Sequence, residues 1–186
     1  MAQIFLFRHG QTTYNRDGIF TGFANPDLTD QGIKEAQEVG EKLKNEKVTK
    51  AYSSDLIRSI HTLDLVLNGW HKNTPRTIDK RLRERDYGDL TGKSKKETAE
   101  KYPTEYPLWH RSYNVAPPGG ESIQDVEKRV LSFINDLLSS LSSGDIVFLS
   151  AHGNSLRPIR RHFEHMSTDQ MCSFEHVPAA VYHYTI

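Results

Sequence analysis

The sequence predicts an α/β fold of three layers, with helices on both faces of a mostly parallel central sheet. Two runs of mainly apolar residues, 4–7 and 146–150, have the composition of strands that are covered on both faces. Amphipathic helical patterns, with apolar residues three and four positions apart, separate and follow the predicted strands. This alternation of strands and helices is typical of parallel sheets. Because 186 residues can form one well-buried core, we expect a single domain over residues 1–186.

The predicted elements follow one another along the chain with loops between them. Strands are predicted at residues 4–7, 51–54, 75–78, 146–150 and 179–185. Helices are predicted to begin at Thr29 or Asp30, near Asp55, at Ser94, at Ser122, and at Asn154 or Ser155. The buried face of the first helix is predicted to consist of Ile33, Ala36, Val39, Gly40 and Leu43. Residues 11–28, rich in turn formers, predict a loop over the crevice, and residues 103–121, rich in proline and aromatic residues, predict a lid packed by its own rings.

Composition limits the classes of partner and the compartment. The chain carries 24 basic and 24 acidic residues, so its overall charge gives no support for binding nucleic acid or an anionic membrane. The single Cys172 cannot form an internal disulfide, which fits a reducing compartment. No apolar run approaches the roughly twenty residues of a membrane-spanning helix, and the strand before Arg8 leaves no room for a signal peptide. We therefore expect a cytoplasmic protein.

Two predicted strands end in a histidine followed by a glycine, in Arg8-His9-Gly10 and in Ala151-His152-Gly153. The carboxyl ends of parallel strands meet at one edge of the sheet, where ligands bind in open α/β folds. We therefore expect both histidines at one crevice, with Arg58 beside them at the start of a helix. Each feature alone has a plainer interpretation. Arg8 and His9 could be charged surface residues at the end of a strand, and His152 could be a buried structural histidine.

This group of side chains suits phosphoryl transfer. A guanidinium group offers paired donors that match phosphate oxygens, and a neutral imidazole can attack phosphorus. Arg8, Arg58 and His152 would hold the phosphoryl group while His9 attacks it in line. The leaving oxygen needs a proton, for which Glu84 is the candidate acid, although it could instead be a surface carboxylate paired with neighbouring arginines.

Five segments carry a recognisable pattern when they are considered together. They are Arg8-His9-Gly10 with Asn15, Phe20-Thr21-Gly22, residues 54–62, residues 82–92 and residues 151–157. In this order they closely resemble the histidine phosphatase superfamily, and within it the cofactor-dependent phosphoglycerate mutases. The resemblance covers essentially the whole chain and implies a phosphoglycerate mutase-like fold. It also implies a phosphohistidine on His9, a phosphate pocket of Arg8, Arg58 and His152, and Glu84 as proton donor.

The resemblance further implies a substrate and a primer. It implies that 3-phosphoglycerate and 2-phosphoglycerate are interconverted after 2,3-bisphosphoglycerate has primed the enzyme, without a metal. The implied substrate ligands are Asn15, Thr21, Gly22, Tyr87, Lys95, His110, Arg111, Gly153 and Asn154. A substrate with both a phosphate and a carboxylate needs two separate cationic groups, which agrees with this set. We expect no partner beyond such a small phosphorylated substrate, and a monomer or small homo-oligomer.

Three positions and the chain length depart from the family pattern. Related mutases usually have an arginine at His110, commonly a glutamate at Gln11, and a histidine or another aromatic residue at Asp86. Little sequence follows Tyr184, where the family uses a tail to close the site against water, so we expect more hydrolysis. Two alternatives to the mutase therefore stay open, a phosphomonoesterase and a non-catalytic phosphate-binding protein.

Overall fold

The fold is described from a computed structural model that covers residues 1–67 and 71–186. Its strands are β1 (Gln3–Arg8), β2 (Lys50–Ser53), β3 (Arg76–Ile78), β4 (Ile146–Ala151) and β5 (Val181–Thr185). Its helices are α1 (Thr13–Arg16), α2 (Asp30–Leu43), α3 (Ile57–Leu67), α4 (Lys95–Lys101), α5 (Glu105–Arg111), α6 (Ile123–Ser140), α7 (Gly153–Glu164) and α8 (Thr168–Ser173). No helix in these ranges is long and apolar enough to cross a membrane.

The five strands form one mixed sheet in the order β3-β2-β4-β1-β5. Strand β4 pairs in parallel with β1 and β2, β2 pairs in parallel with β3, and β5 is antiparallel to β1 at the edge. The register aligns Arg8 at the end of β1 with Ala151 at the end of β4. The carboxyl ends of the two central strands therefore lie at the same level of the sheet.

Helices cover both faces of the sheet, which confirms the predicted three-layer α/β/α fold. On one face, α2 and α3 bury their apolar residues against Phe5 and Phe7 of β1. On the other face, α6 and α7 do so against Ile4 and Leu6 of the same strand. Successive side chains of a strand point to opposite faces, so one apolar strand supplies both cores. This double burial explains why β1 and β4 are continuous apolar runs.

The predicted strands and helices are present, with starts within a few residues of their predicted positions, but three details differ. Ile33, predicted on the buried face of α2, is 36% exposed and lines a surface cavity. The predicted loop 11–28 contains α1, whose four residues are too few to show a helical period. Residues 103–121 contain α5, although a proline stands in its first turn, where proline is tolerated. Tyr106 of this helix packs against Phe20 outside the lid.

Candidate active site

The edge of the sheet brings His9 and His152 together. Each histidine directly follows one of the paired residues Arg8 and Ala151, and the His9 amide donates a hydrogen bond to the Ala151 carbonyl oxygen at 3.0 Å. Both imidazole rings are buried, and their centroids are 4.9 Å apart. One phosphoryl group can contact both rings at this distance, so the predicted meeting of the two histidines is confirmed.

Nε2 of His9 carries the lone pair that is free to attack. Nδ1 lies 2.7 Å from the Gly10 carbonyl oxygen, which can only accept a hydrogen bond, so Nδ1 carries the ring proton. Burial lowers the pKa of His9 well below its usual value, and the charges of Arg58 and Arg8 lower it further. The ring is therefore neutral near pH 7, which is the form that a nucleophile needs.

Backbone contacts fix the turn that follows His9. The Gly10 amide donates a hydrogen bond to the Thr62 hydroxyl of α3 at 3.0 Å. A Cβ atom on Gly10 would overlap the backbone of Gly32, and a Cβ atom on Gly32 would overlap the backbone of Gln11. Glycine is required at both positions because the end of β1 packs directly on the start of α2.

Ser54 sets the protonation of His152. The Ser54 hydroxyl oxygen accepts a hydrogen bond from the Leu56 amide at 3.2 Å and lies 2.6 Å from Nε2 of His152. Its own proton is therefore available to Nε2, which leaves the ring proton of a neutral His152 on Nδ1. Burial, followed by the charge of Arg58, lowers the pKa of His152 well below its usual value. Nδ1 is buried without a partner among the described residues and can donate to an anion.

Arg58 is held in place by the loop before α2. Its Nη1 and Nη2 atoms donate to the carbonyl oxygens of Ala24 and Gly22, at 2.8 and 3.0 Å. Burial is the main reason that the pKa of Arg58 falls to about 10, so the group stays charged near pH 7. Gly22 has a φ angle of 48°, and its carbonyl oxygen orients Arg58 instead of facing the cavity that Thr21 lines. The carbonyl oxygen of Gly22 is thus occupied by Arg58, and a contact between Gly22 and the substrate stays a prediction.

Glu84 presents one carboxylate oxygen to the site. Its Oε1 atom accepts hydrogen bonds from the backbone amides of Arg85 and Asn154, at 2.8 and 2.9 Å. Burial alone would raise the pKa of Glu84, but these hydrogen bonds and the charges of Arg58 and Arg8 outweigh it and leave the pKa lowered. The carboxylate is ionised before an anion binds, and Oε2 is the oxygen left to exchange a proton.

The side chains of His9, Glu84 and His152 offer ligand atoms that all lie within 4.8 Å of one another. This spacing would accept a divalent cation. However, the charges of Arg8 and Arg58 act on all three groups, and they lower the pKa of each histidine. Two guanidinium groups beside the three ligands favour an anion over a cation at this position.

A cavity of about 170 Å³ adjoins these groups; Arg8 and Glu84 are part of its wall, and we call the part lined by Lys95 and Arg111 its second end. The predicted site residues that line the cavity are Arg8, Asn15, Thr21, Glu84, Tyr87, Lys95, His110, Arg111, Gly153 and Asn154. Asn154 Nδ2 donates to the Tyr87 hydroxyl at 3.1 Å, which places an amide group at the middle of the cavity. Lys95 and Arg111 supply positive charge at the second end, and Arg111 Nη2 also contacts Glu175 at 3.2 Å.

The three residues that depart from the family pattern, His110, Asp86 and Gln11, each make a defined contact with neighbouring residues. Burial, followed by the charges of Arg111 and Lys95, lowers the pKa of His110 to about 4. His110 is therefore neutral near pH 7, and it packs on Tyr106 with ring centroids 5.2 Å apart. Asp86 Oδ1 accepts the Gly88 amide at 2.9 Å, which stabilises a turn. Gln11 Oε1 accepts the Thr29 hydroxyl at 3.0 Å at the start of α2.

Three residues of the cavity were not among the predicted site residues: Arg157, Glu175 and His176. Arg157 lies in the last recognised segment and donates to the Met171 carbonyl oxygen at 2.7 Å. Glu175 and His176 precede β5 in irregular chain, where no periodicity or motif marks them. Of the eight buried side-chain nitrogen and oxygen atoms that lack a hydrogen-bond partner in the described ranges, seven belong to residues of this site. Most are donors, as an anion site requires.

Comparison with known proteins assigns the family. The sequence profile of the histidine phosphatase superfamily (branch 1) matches residues 4–186. The chain belongs to this superfamily. A relative from Nitrobacter winogradskyi, named 2,3-bisphosphoglycerate-dependent phosphoglycerate mutase, is 43% identical over 175 residues, which are 91% of this chain and 84% of the relative. A relative of the same name from Bradyrhizobium diazoefficiens is also 43% identical, over 88% of this chain and 82% of its own length.

Solved structures of the histidine phosphatase superfamily share the fold. Bacillus stearothermophilus YhfR superposes with a TM-score of 0.89 at 26% identity, over 98% of this chain and 90% of that protein. A mycobacterial glucosyl-3-phosphoglycerate phosphatase superposes with a TM-score of 0.87 at 25% identity, over 97% of this chain and 91% of that protein. The chain is thus an enzyme of a superfamily whose similar members carry both mutase and phosphatase names.

Proposed function

We propose that this protein is a 2,3-bisphosphoglycerate-dependent phosphoglycerate mutase that interconverts 3-phosphoglycerate and 2-phosphoglycerate. The observation that supports it is the presence of two cationic ends in one cavity, since a phosphate monoester without a second anion needs only one. Arg8 and Arg58 would bind the reacting phosphoryl group beside His9. Lys95 and Arg111 would bind the carboxylate or the second phosphate. An enzyme with this activity serves glycolysis and gluconeogenesis in the cytoplasm.

The reaction begins with transfer of a phosphoryl group to His9. Nε2 attacks phosphorus as the bond to the leaving oxygen breaks, and Oε2 of Glu84 gives that oxygen a proton. Nδ1–H of His152 and the guanidinium groups of Arg8 and Arg58 donate to the phosphoryl oxygens throughout. A bound phosphate dianion offsets the arginine charges that hold the pKa of Glu84 low, so its binding favours the protonated acid.

Return of the phosphoryl group reverses these roles. Glu84, now ionised, accepts the proton of the substrate hydroxyl while that oxygen attacks phosphorus and the bond to His9 breaks. Bisphosphoglycerate supplies the phosphoryl group that primes His9. Arg8 lines the same cavity as Lys95 and Arg111, so the cavity offers cationic donors for both phosphates of such a molecule.

A coupled assay tests this proposal. Formation of 2-phosphoglycerate from 3-phosphoglycerate is followed with and without catalytic 2,3-bisphosphoglycerate, while inorganic phosphate is measured in parallel. We expect primer-dependent isomerisation at least about tenfold faster than phosphate release, and neither process in the His9→Ala variant. Phosphate release without isomerisation would reject the mutase.

A phosphomonoesterase is the second candidate, and one feature of the site favours it. A smaller cavity of about 130 Å³ reaches His9 from the side of Gln11, Glu35 and Ala179. Water in this cavity could attack a phosphohistidine and so release phosphate. An acid-labile phosphoryl adduct that requires His9 is expected for both enzymes, and its absence would instead favour a non-catalytic phosphate-binding protein.

A further inference from the structure

His176 is a half-buried residue of the cavity wall that the proposed reaction does not use. It lies between α8 and β5 and forms part of the cavity wall together with Glu84 and Gly153. Both of its ring nitrogens are buried, and neither meets the geometry of a hydrogen bond with a described residue, although the nearby Gly153 backbone acts to raise the pKa of the ring. Buried nitrogens are rarely left unpaired in folded proteins, so an unpaired ring at a cavity wall indicates a contact with a bound molecule.

The position of His176 is defined relative to Glu84. A Cβ atom built on Gly153 would lie 3.4 Å from Oε2 of Glu84 and 3.4 Å from Nε2 of His176. The two atoms therefore flank one small space above the first residue of α7. Oε1 of Glu84 is occupied by two backbone amides, so Oε2 is the atom that exchanges a proton. A substrate oxygen that receives this proton lies within reach of the imidazole.

The charge of His176 decides what it can contribute. Burial, followed by the charges of Arg8 and Arg157, lowers the pKa of His176 to about 3, while the charge of Glu84 opposes this shift. The ring is neutral near pH 7 and keeps one N–H donor. A fixed neutral donor stabilises an oxygen that gains negative charge without competing for the proton that Glu84 supplies.

We propose that His176 is a further catalytic residue, whose Nε2–H donates a hydrogen bond to the substrate oxygen that leaves phosphorus, on the opposite side from Glu84. In this step the bond from His9 Nε2 to phosphorus forms and the bond from phosphorus to oxygen breaks. The proton comes from Glu84, and His176 keeps its own. The inference rests on phosphoryl transfer to His9, and it holds whether the phosphoryl group then passes to a hydroxyl or to water.

The leaving oxygen provides a selective test. The phosphoglycerate alkoxide that leaves 2,3-bisphosphoglycerate is a poor leaving group and needs both the proton and the hydrogen bond. The phenolate of p-nitrophenyl phosphate leaves without help, so loss of a donor to this oxygen should matter little. Rapid-quench measurement of His9 phosphorylation by each ester separates this role from a structural one, because a distorted site would slow both reactions.

For His176→Ala we expect phosphorylation of His9 by 2,3-bisphosphoglycerate to fall about 10- to 100-fold and phosphorylation by p-nitrophenyl phosphate to change less than about threefold. His176→Gln, whose amide can donate from a similar position, should recover part of the loss. Val177→Ala, at an exposed neighbouring position, is the matched control and should leave both rates unchanged. Thermal unfolding of each variant checks the fold.

Two results would overturn the inference. One is an equal loss with both esters, and the other is no loss with 2,3-bisphosphoglycerate. Failure of the proposed mutase would appear differently: the unmodified protein would become phosphorylated on His9 but would not isomerise phosphoglycerate. The comparison of the two esters would still decide the role of His176 in that case. Absence of any phosphohistidine in the unmodified protein would reject both proposals.

Discussion

Nζ of Lys95 lies 5.7 Å from the centre of the Phe20 ring, so the cation at the second end of the cavity rests against a buried aromatic ring. Such a contact holds the ammonium group in one position. Burial lowers the pKa of Lys95 from its usual value, and the charge of Glu84 opposes this shift. A positioned cation of this kind can distinguish substrates that carry a second anionic group.

Removal of this cation should reduce affinity selectively. For Lys95→Ala we expect KM for 3-phosphoglycerate to rise about tenfold or more, whereas kinetics with p-nitrophenyl phosphate, which has no second anion, should change little. Lys96→Ala removes an exposed lysine from the same helix and is the control. Equal effects of Lys95→Ala on both substrates would contradict a role in binding the second anion.

Glu84→Gln tests the proton donor. The glutamine oxygen can still accept the backbone amides of Arg85 and Asn154, so the local structure should be kept while the acid is lost. We expect phosphorylation of His9 by 2,3-bisphosphoglycerate to slow about 100- to 10,000-fold. Rapid-quench kinetics measures it, and Glu97→Gln, at an exposed carboxylate, is the control. A loss of less than about threefold would assign the proton transfer to another group.

Ser54→Ala tests the orientation of His152. Without the serine hydroxyl, Nε2 of His152 can hold the ring proton and Nδ1 then loses its ability to donate to a phosphoryl oxygen. We expect about a tenfold lower rate of His9 phosphorylation, measured with p-nitrophenyl phosphate. Ser59→Ala, which removes another buried hydroxyl of this region, should reduce thermal stability without this loss. An unchanged rate in Ser54→Ala would show that the tautomer is set elsewhere.

Metal ions should inhibit the enzyme if they act on it at all. Chelation with EDTA is expected to leave activity unchanged, because the proposed reaction uses no metal. Zn²⁺ should inhibit in competition with substrate, since it would bind the free ligand atoms of His9, Glu84 and His152. Calorimetric titration should show weaker Zn²⁺ binding to His152→Ala. Loss of activity in EDTA that added metal restores would contradict the metal-free mechanism.

The stability of the protein should fall in acid. The folded state lowers the pKa values of His9, His152, His110 and His176, whereas the unfolded chain binds these protons near pH 6.5. Below that pH the unfolded state holds more protons, so the free energy of unfolding decreases as pH falls, by up to about 1.4 kcal/mol per pH unit for each histidine. Urea titrations at several pH values measure this slope.

A single substitution can measure the contribution of one histidine to the pH dependence of the free energy of unfolding. His110→Phe keeps an aromatic ring beside Tyr106 and removes the titrating group. The free energy of unfolding should therefore depend less steeply on pH between about pH 4 and 6.5, by up to the slope that one bound proton contributes. His165→Asn is the control, because the exposed His165 has a φ angle of 54°, which asparagine tolerates. An identical slope in His110→Phe and the unmodified protein would contradict the assignment.

The reactive end could be predicted from sequence because it depends on regular structure. Two apolar strands, paired in parallel, bring the residues after Arg8 and Ala151 to one level, and this follows from the pattern alone. Glu84 was found through its motif, since its position depends on amides of Arg85 and Asn154 that no periodicity shows. In each case a short-range signal or a general rule of sheet topology determines the position.

The remaining features depend on tertiary contacts that leave no local signal. His176 and Glu175 reach the cavity from irregular chain before β5, and only the folded structure shows which way they face. Pro178 and Ala179 of the same irregular chain line the smaller cavity beside His9. Ile33 has helical spacing but lies where no neighbouring element covers it, so amphipathic pattern alone overestimates its burial.

The contact between the backbones of Gly10 and Gly32 has a consequence for engineering. Saturation mutagenesis at either position should return only glycine among active clones, because no side chain fits between the two segments. Substitutions in the turn that follows His9 therefore cannot be used to change the reactivity of the nucleophile. New substrate ranges are accessible instead through substitutions around Lys95 and Arg111, which would bind the substrate without taking part in the bond changes at phosphorus.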